Sequence, residues 1–165
     1  MSAFHLYLDI DGVTGESVTH GHEGAVELSS WSFGLRTAAS VGGSGAGAGK
    51  TRWDTIDVTM PTTAALPQLM SLCATGRLVK HAVLRAETAG GESPFEWLRL
   101  TLTDVLVAHV ASGASAPDDR SDDQASLAFS SIMIEKFSRG PDGTLGVPVT
   151  FAWNARKGKA AKTPA

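Results

Sequence analysis

Two histidines and a glutamate crowd the stretch HGHEG, where His20 and His22 stand two apart and Glu23 follows. On an extended segment that spacing puts both imidazoles on one face, where they can ligate zinc or iron with Glu23 as third ligand or base. His5, His81 and His109 are scattered, and neither H-E-x-x-H nor another strong metal spacing occurs. A hydrogen-bonded corner is therefore the expected role of HGHEG. A second chemical signal is SGAGAGKTRW, whose Gly49, Lys50 and Thr51 fit the end of the phosphate-loop pattern G-x-x-x-x-G-K-[ST]; Ser44 stands where its first glycine belongs. A third is PDDRSDD, with Asp118, Asp119, Asp122 and Asp123, which lacks the ligand order of a calcium loop and is expected as a solvated turn. No G-x-S-x-G nucleophile motif is present, so no catalytic residue and no cofactor is assigned.

The elements around these residues decide between the readings. A phosphate loop leaves a strand and opens a helix, whose N-terminus completes the anion site. Here Ile56, Val58 and Met60 alternate with Asp57 and Thr59, the period of a strand. The glycine loop thus joins strand to strand, and the phosphate reading falls. The first segment, FHLYLDIDG, alternates through Leu6, Leu8 and Ile10. In AVELSSWSFGLRT the apolar parity switches between Val26 and Leu28 on one side and Trp31, Phe33 and Leu35 on the other, which predicts a β-bulge near Ser29 or Ser30. Trp31 and Phe33 then face the core, and Ser32 faces the other way.

One helix is expected in TTAALPQLMSLCATG, with Leu66, Leu69, Met70 and Cys73 as its apolar stripe. Thr62 or Thr63 would cap its start, Pro67 must lie in its first turn, and Gly76 suits the residue after its end. Strands resume in LVKHAVLRAET and FEWLRLTLTDVLVAHVA, joined by the hairpin turn AGGESP. An acidic loop, SAPDDRSDDQ, then precedes the strand region ASLAFSSIMIEKF, and Val147, Val149, Phe151 and Trp153 alternate in a last strand. The total is seven or eight strands with one helix: mainly β, a two-sheet β-barrel with one flanking α-helix and a long Gly-rich extended loop.

Bulk properties limit the function classes. A net charge of −3 argues against nucleic acid as the main partner, because phosphate binding needs a basic face. The exception is ARKGKAAKTPA, where Arg156, Lys157, Lys159 and Lys162 are expected in a basic, disordered tail over residues 155–165. Cys73 is the only cysteine, which suits a reducing compartment and excludes an intrachain disulfide. The N-terminal MSAFHLYLDIDG has no basic region before an apolar core, so no cleaved secretory signal is expected, and no apolar run reaches the ~18 residues of a membrane span.

In order, GESVTHGHEGAVELSSWSFG, GGSGAGAGKTRWDTIDVTM, LPQLMSLCATG, AGGESPFEWLRLTLTDVLV, the loop through DDR, and GVPVTFAWN resemble the haemolysin-coregulated protein (Hcp) family of type VI secretion systems. The resemblance covers roughly residues 3 to 154 and implies a tube domain over 1–154, similar to contractile-phage tail-tube proteins. It also implies hexameric rings that stack into a hollow tube, driven out by a contracting sheath and holding small effectors in the lumen. Partners would be further copies of the chain, effectors, and spike and sheath or baseplate proteins, with no nucleic acid and no membrane insertion. Assembly would be cytoplasmic and export would need no cleaved signal. Ser32 matches a lumen-facing position and is a candidate effector contact. The loop Ala38, Ala39, Ser40, Val41, Gly42, Gly43, Ser44, Gly45, Ala46, Gly47, Ala48 and Gly49 is a candidate ring-stacking element. SDDQ at 121–124 departs from the family's usual LTEN, and Leu66 from its usual threonine. The alternatives are a tail-tube protein of another contractile particle, a metal-dependent β-fold enzyme using His20, His22 and Glu23, and a carbohydrate-binding sandwich using exposed Trp residues.

Overall fold

The computed structural model describes residues 4–38, 49–89, 94–116 and 120–161. In chain order these form strands β1 (Phe4–Ile10), β2 (Val26–Glu27), β3 (Ser30–Ser32), β4 (Leu35–Thr37), β5 (Thr51–Trp53) and β6 (Ile56–Pro61), then helix α1 (Ala65–Thr75). Strands β7 (Val79–Thr88), β8 (Glu96–Ser115), β9 (Arg120–Ala128), β10 (Ser131–Lys136), β11 (Val149–Asn154) and β12 (Lys159–Ala160) complete the described chain. Ten of the strands are hydrogen-bonded into two packed layers, and β4 and β5 form a separate hairpin.

The first layer runs β12-β11-β10-β8-β7-β1-β2 and the second β3-β6-β9-β8, all pairs antiparallel. Strand β8 is 20 residues long because it serves both: residues up to Val105 pair with β7, and those from Leu106 onward pair with β9. Leu98, Leu100 and Leu102 point into the core on its first half, Val105 and Val107 on its second, so the phase flips at Asp104. Asp104 has a φ of 51°, the one non-glycine residue with positive φ among those described. A left-handed residue of that kind is costly unless a small polar side chain is satisfied locally. Ser130 provides this: its hydroxyl donates to Asp104 Oδ2 at 2.9 Å, and its N–H donates to the Thr103 carbonyl at 3.0 Å. The same corner is where the chain leaves β9 for β10 and so changes layer.

On the opposite edge the chain changes layer between β2 and β3. Leu28 donates its N–H to Leu6 in the first layer, and Ser29 donates to Thr59 in the second. The parity switch expected as a bulge is thus a handover between sheets, which reverses the buried parity for the same reason a bulge would. Such handovers also explain why the strands outnumber the seven or eight expected: AVELSSWSFGLRT supplies three and ASLAFSSIMIEKF parts of two. The acidic stretch is likewise shorter as a loop than expected, because SDDQ is inside β9.

Between the layers lie Leu6, Leu8 and Ile10, Leu84, Leu100, Leu102 and Ile132 from one sheet and Ile56, Val58, Met60, Val107 and Leu127 from the other. Helix α1 packs against β8 and closes one end. Its buried face is Ala65, Leu69 and Leu72, with Leu66 and Cys73 part-buried, while Met70 is 43% exposed. The expected stripe is therefore rotated, since two overlapping i, i+4, i+7 rows exist and the sheet selects the one with the smaller residue at its start. Pro67 lies in the first turn, and Gly76 takes the left-handed position (φ 62°) with its N–H on the Cys73 carbonyl. The N-cap is Ala64, not Thr62 or Thr63, with no side-chain cap of its own. Instead Glu16 Oε1, 48 residues earlier, accepts the Ala64 N–H at 3.0 Å, and Thr63 Oγ1 accepts the Ala65 N–H at 3.3 Å. The basic segment expected as a disordered tail turns back at residues 155–158, so that Lys159 and Ala160 pair with Asn154 and Trp153.

The corner at Asp104 carries a stability prediction. Asp104→Val, a β-branched residue that resists positive φ, is expected to lower unfolding free energy by about 2 kcal/mol, whereas Asp104→Gly stays within about 1 kcal/mol of the parent. Urea titration of the three proteins measures this, and equal losses for both variants would remove strain from the account.

Candidate functional site

The HGHEG corner is built by a loop that folds over the outer face of the first sheet. Gly15 donates to the Gly24 carbonyl at 2.7 Å, Gly24 to Ser17 at 2.8 Å, and His22 to Thr19 at 2.8 Å. Gly21 and Gly24 have φ of 84° and 77°, and a Cβ on Gly15 would collide with the Ala25 carbonyl. These backbone demands, not ligand geometry, account for the glycines. His22 is turned inward, its side chain 9% exposed, its ring stacked on Tyr7 at 4.0 Å and 3°. Its Nε2 lies 2.7 Å from Glu87 Oε1, while Nδ1 is buried without a partner. His20 is fully exposed and lies 3.4 Å from Glu23. The two imidazoles therefore diverge, and Glu23 is beside only the exposed one.

The other histidines do not converge on them. His81 pairs with Asp11 at 3.5 Å, and His109 is on the second sheet opposite Ser126. No group of three or more His, Cys, Asp or Glu among the described residues has metal-holding geometry. The enzyme alternative thus lacks its constellation, since His22 is committed to Tyr7 and Glu87. Glu23 has its carboxyl held below the usual range by its own N–H and then by that of Gly21. Thr144, through its hydroxyl and N–H, does the same for Asp142.

Gly49 and Lys50 begin no helix. Gly49 donates its N–H to the Ala38 carbonyl at 2.9 Å, closing the hairpin of β4 and β5 through pairs Leu35–Trp53 and Thr37–Thr51. Ala38 and Gly49 are thus the feet of the glycine-rich connection, while Ala39 to Ala48 lie outside the described residues, as do Asp118 and Asp119. Of the remaining acidic pair, Asp122 is exposed and Asp123 is 1% exposed, so the solvated-turn reading fails for Asp123. Thr62 donates its hydroxyl to Asp123 Oδ1 at 2.8 Å, linking the end of β6 to β9.

The larger cluster was not legible in the sequence. Trp53, at the foot of the hairpin, has Phe33, Phe129, Phe151 and Trp153 around it at ring distances between 6.2 and 6.5 Å. Arg36 adds an ion pair to Asp54 at 3.1 Å. This aromatic anchor fixes the hairpin to β11 and to the corner at Phe129. All four Trp residues are part-buried, which removes the exposed platforms a carbohydrate-binding reading needs. Alternating aromatics in VPVTFAWN gave one half of the signal, but nothing in the chain indicated that Trp53 supplies the other.

Ser32 is exposed, opposite Asp57 in the β3–β6 register, with Trp31 and Phe33 turned toward the core. Around it Gly34, Asp54, Thr55 and Asp57 line a shallow depression. The strand expected last differs from expectation: it begins at Val149, leaving Val147 outside it, β12 follows it, and its apolar face is covered only where Phe151 and Trp153 stack on Trp53. Val147 is 92% exposed, Val149 76% and Phe151 40%. Strand β12 pairs only with Trp153 and Asn154, so the outer edge of β11 before Ala152 has no strand partner among the described residues.

Two measurements test this assignment. Trp53→Ala is expected to cost about 3 kcal/mol and to reduce the near-UV circular dichroism from the aromatic group, because it empties the centre of the cluster. A change below 1 kcal/mol would show that the hairpin is not anchored there. Glu23 sets a pH dependence: a carboxyl with lowered folded pKa stabilises above its unfolded value of 4.5 and loses that contribution as pH falls through the folded one. Glu23→Gln should therefore be less stable than the parent at neutral pH, with the difference vanishing in acid.

The likenesses to known proteins agree with this arrangement. The family model described as "Type VI secretion system effector, Hcp" matches residues 7–135. The protein hcp1 of Pseudomonas aeruginosa is 32% identical over 157 residues, covering 94% of this chain and 97% of that protein. The crystal structure of Hcp1 from Salmonella typhimurium has a TM-score of 0.77 at 26% identity, covering 97% of this chain and 100% of that one. A solved type six secretion system protein reaches 0.88 at 23% identity, covering 96% and 100%, a likeness of fold. With a family model matched over residues 7–135, a 32% identical relative covering 94% of its length, and a mainly β fold with one flanking helix, the chain belongs to the Hcp family of the type VI secretion system.

Proposed function

We propose that this chain is a structural subunit that closes into hexameric rings, and that the rings stack into a hollow, tail-tube-like barrel expelled by sheath contraction with small effectors inside. Family membership supports the structural role. The observation that carries the assembly is the exposure of Val147 and Val149, continued by the part-exposed Phe151, beside an open strand edge. A contiguous exposed apolar surface on a strand edge is a liability in an isolated chain and an interface in an assembly. Lateral closure around a ring would cover it. Ser32, on a polar face away from the core, is then the candidate effector contact, and residues 38–49 the candidate stacking element. Spike and sheath proteins are the remaining partners. Among the described residues no helix is long and apolar enough to cross a membrane.

The test is native mass by light scattering on a sizing column, with electron microscopy of the same peak. The parent is expected at six times the 17.2 kDa chain mass, as rings with an open centre. Val149→Arg is expected to move at least tenfold more protein into the monomer at equal concentration, since it places an unpaired charge in the covered face. A parent that stays monomeric at all concentrations overturns the proposal.

A further inference from the structure

Strands β10 and β11 continue past their last sheet pair, Lys136–Val149, as a narrow hairpin. Gly146 donates its N–H to the Ser138 carbonyl, Arg139 and Leu145 form a bridge, and Gly140 donates to the Thr144 carbonyl. Gly143 closes the turn, with a φ of 81° and its N–H on the Gly140 carbonyl at 2.9 Å. Asp142 Oδ1 accepts both the hydroxyl and the N–H of Thr144, at 2.7 and 3.2 Å, so the tip is held in one shape. From Lys136 to Asp142 the chain spans at most about 20 Å at ~3.3 Å per residue, which carries the tip beyond the sheet. Residues 141–145 are all exposed, and Leu145 is 63% exposed.

The other end of the same strand pair carries a cavity. Past the pair Ser131–Asn154, the N–H groups of Ala155 and Arg156 both turn onto the Ser130 carbonyl, at 2.9 and 3.4 Å. That places the exposed Arg156 at a cavity of about 410 Å³ whose apolar lining is Leu78, Leu106, Ala128 and Phe129. Leu78 is 59% exposed there. The one carboxylate on the lining, Asp104, accepts the Ser130 hydroxyl at 2.9 Å. Against it stand Arg156 and, next along the chain, Lys157 and Lys159, none of which has an ion-pair partner among the described residues. The mouth is therefore apolar with an excess of positive charge beside it.

Tip and cavity complement one another. The tip offers an apolar side chain, Leu145, close in the chain to a fixed carboxylate, Asp142. The cavity offers an apolar lining beside a guanidinium, that of Arg156. Opposite charges steer and orient a contact of this kind, and burial of apolar area holds it. The length of β10, about 17 Å at ~3.3 Å per residue, separates the two features, so a chain cannot fill its own cavity. Copies in line along those strands bring one copy's tip to the next copy's cavity. Contacts between unlike surfaces do not close on themselves when repeated along a line, and they propagate as a filament.

We infer that the hairpin tip Pro141–Leu145 of one copy docks in the cavity between Leu78, Phe129 and Arg156 of a second copy, with Leu145 against the apolar lining and Asp142 paired to Arg156. The inference rests on the proposed stacking of rings and names a pair of surfaces that meet in it. It is tested by disulfide capture in a Cys73→Ala background. Full-length Pro141→Cys, bearing a mass tag, is mixed with untagged Ala155→Cys and oxidised with diamide, and the products are separated without reductant. The expected product is the mixed disulfide, in at least fivefold excess over either homodimer. Adding Arg156→Glu to the untagged chain should lower it at least fivefold, and adding Asp142→Arg to the tagged chain should then restore it. Product that Arg156→Glu leaves undiminished comes from collision and overturns the docking. Rings of sixfold mass that give no mixed disulfide also overturn it and leave the ring reading standing. Mixed disulfide that obeys the charge swap, from protein that forms no rings, supports the docking and overturns ring closure. If Ala155→Cys alters the far-UV spectrum, Ala128→Cys, also on the cavity lining, takes its place with the same expected outcomes.

Discussion

Strand β8 belongs to both sheets, and the angle at which it turns at Asp104 sets where every other element can be. Through its first half it holds β7 and β10, and through its second half β9, so the two layers share one covalent spine. The left-handed Asp104 and the hydrogen bonds from Ser130 make the turn and the β9-to-β10 handover a single corner. Phe129, one residue from that corner, reaches into the aromatic group around Trp53. Thus the position of the β4–β5 hairpin follows, by contact, from the bend in β8.

Groups that look chemical in this chain are used as fasteners. His22 holds a glycine-shaped loop against Tyr7 and Glu87, Asp123 ties β9 to Thr62, and Glu16 supplies the helix start with the acceptor its own sequence lacks. On the outer face of the first sheet, Asp9, Arg85, Glu96, Arg99 and Glu135 form a row of ion pairs across four strands. Such solvent-accessible pairs contribute little each, but the row sets each of its two guanidiniums between carboxylates, three in all. The uncompensated features are apolar or main-chain: the face of β11 and the open edge of β1.

That distribution suits the proposed assembly, in which lateral association needs apolar area.

Local pattern in the sequence determined much of this. Period-two runs gave β1, β6, β7, β8 and β11, the glycine loop between strands removed the phosphate reading, and Gly76 marked the helix end. Motif order gave the family resemblance. What the sequence left open has one physical cause: burial is decided by what lies across the core, not by the chain itself. Leu72 rather than Met70 is buried because β8 lies under that side of the helix. The parity switch at Ser29 is a change of sheet because Leu6 and Thr59 stand on either side of it. His20 and His22 diverge because Tyr7 and Glu87 capture only one of them. Trp53 became an anchor only when Phe33, Phe129, Phe151 and Trp153, up to 100 positions away, met around it. Alternation in VPVTFAWN specified a strand with one apolar face; only the tertiary structure showed that Trp53 covers it at Phe151 and Trp153 and that Val147 and Val149 are left exposed.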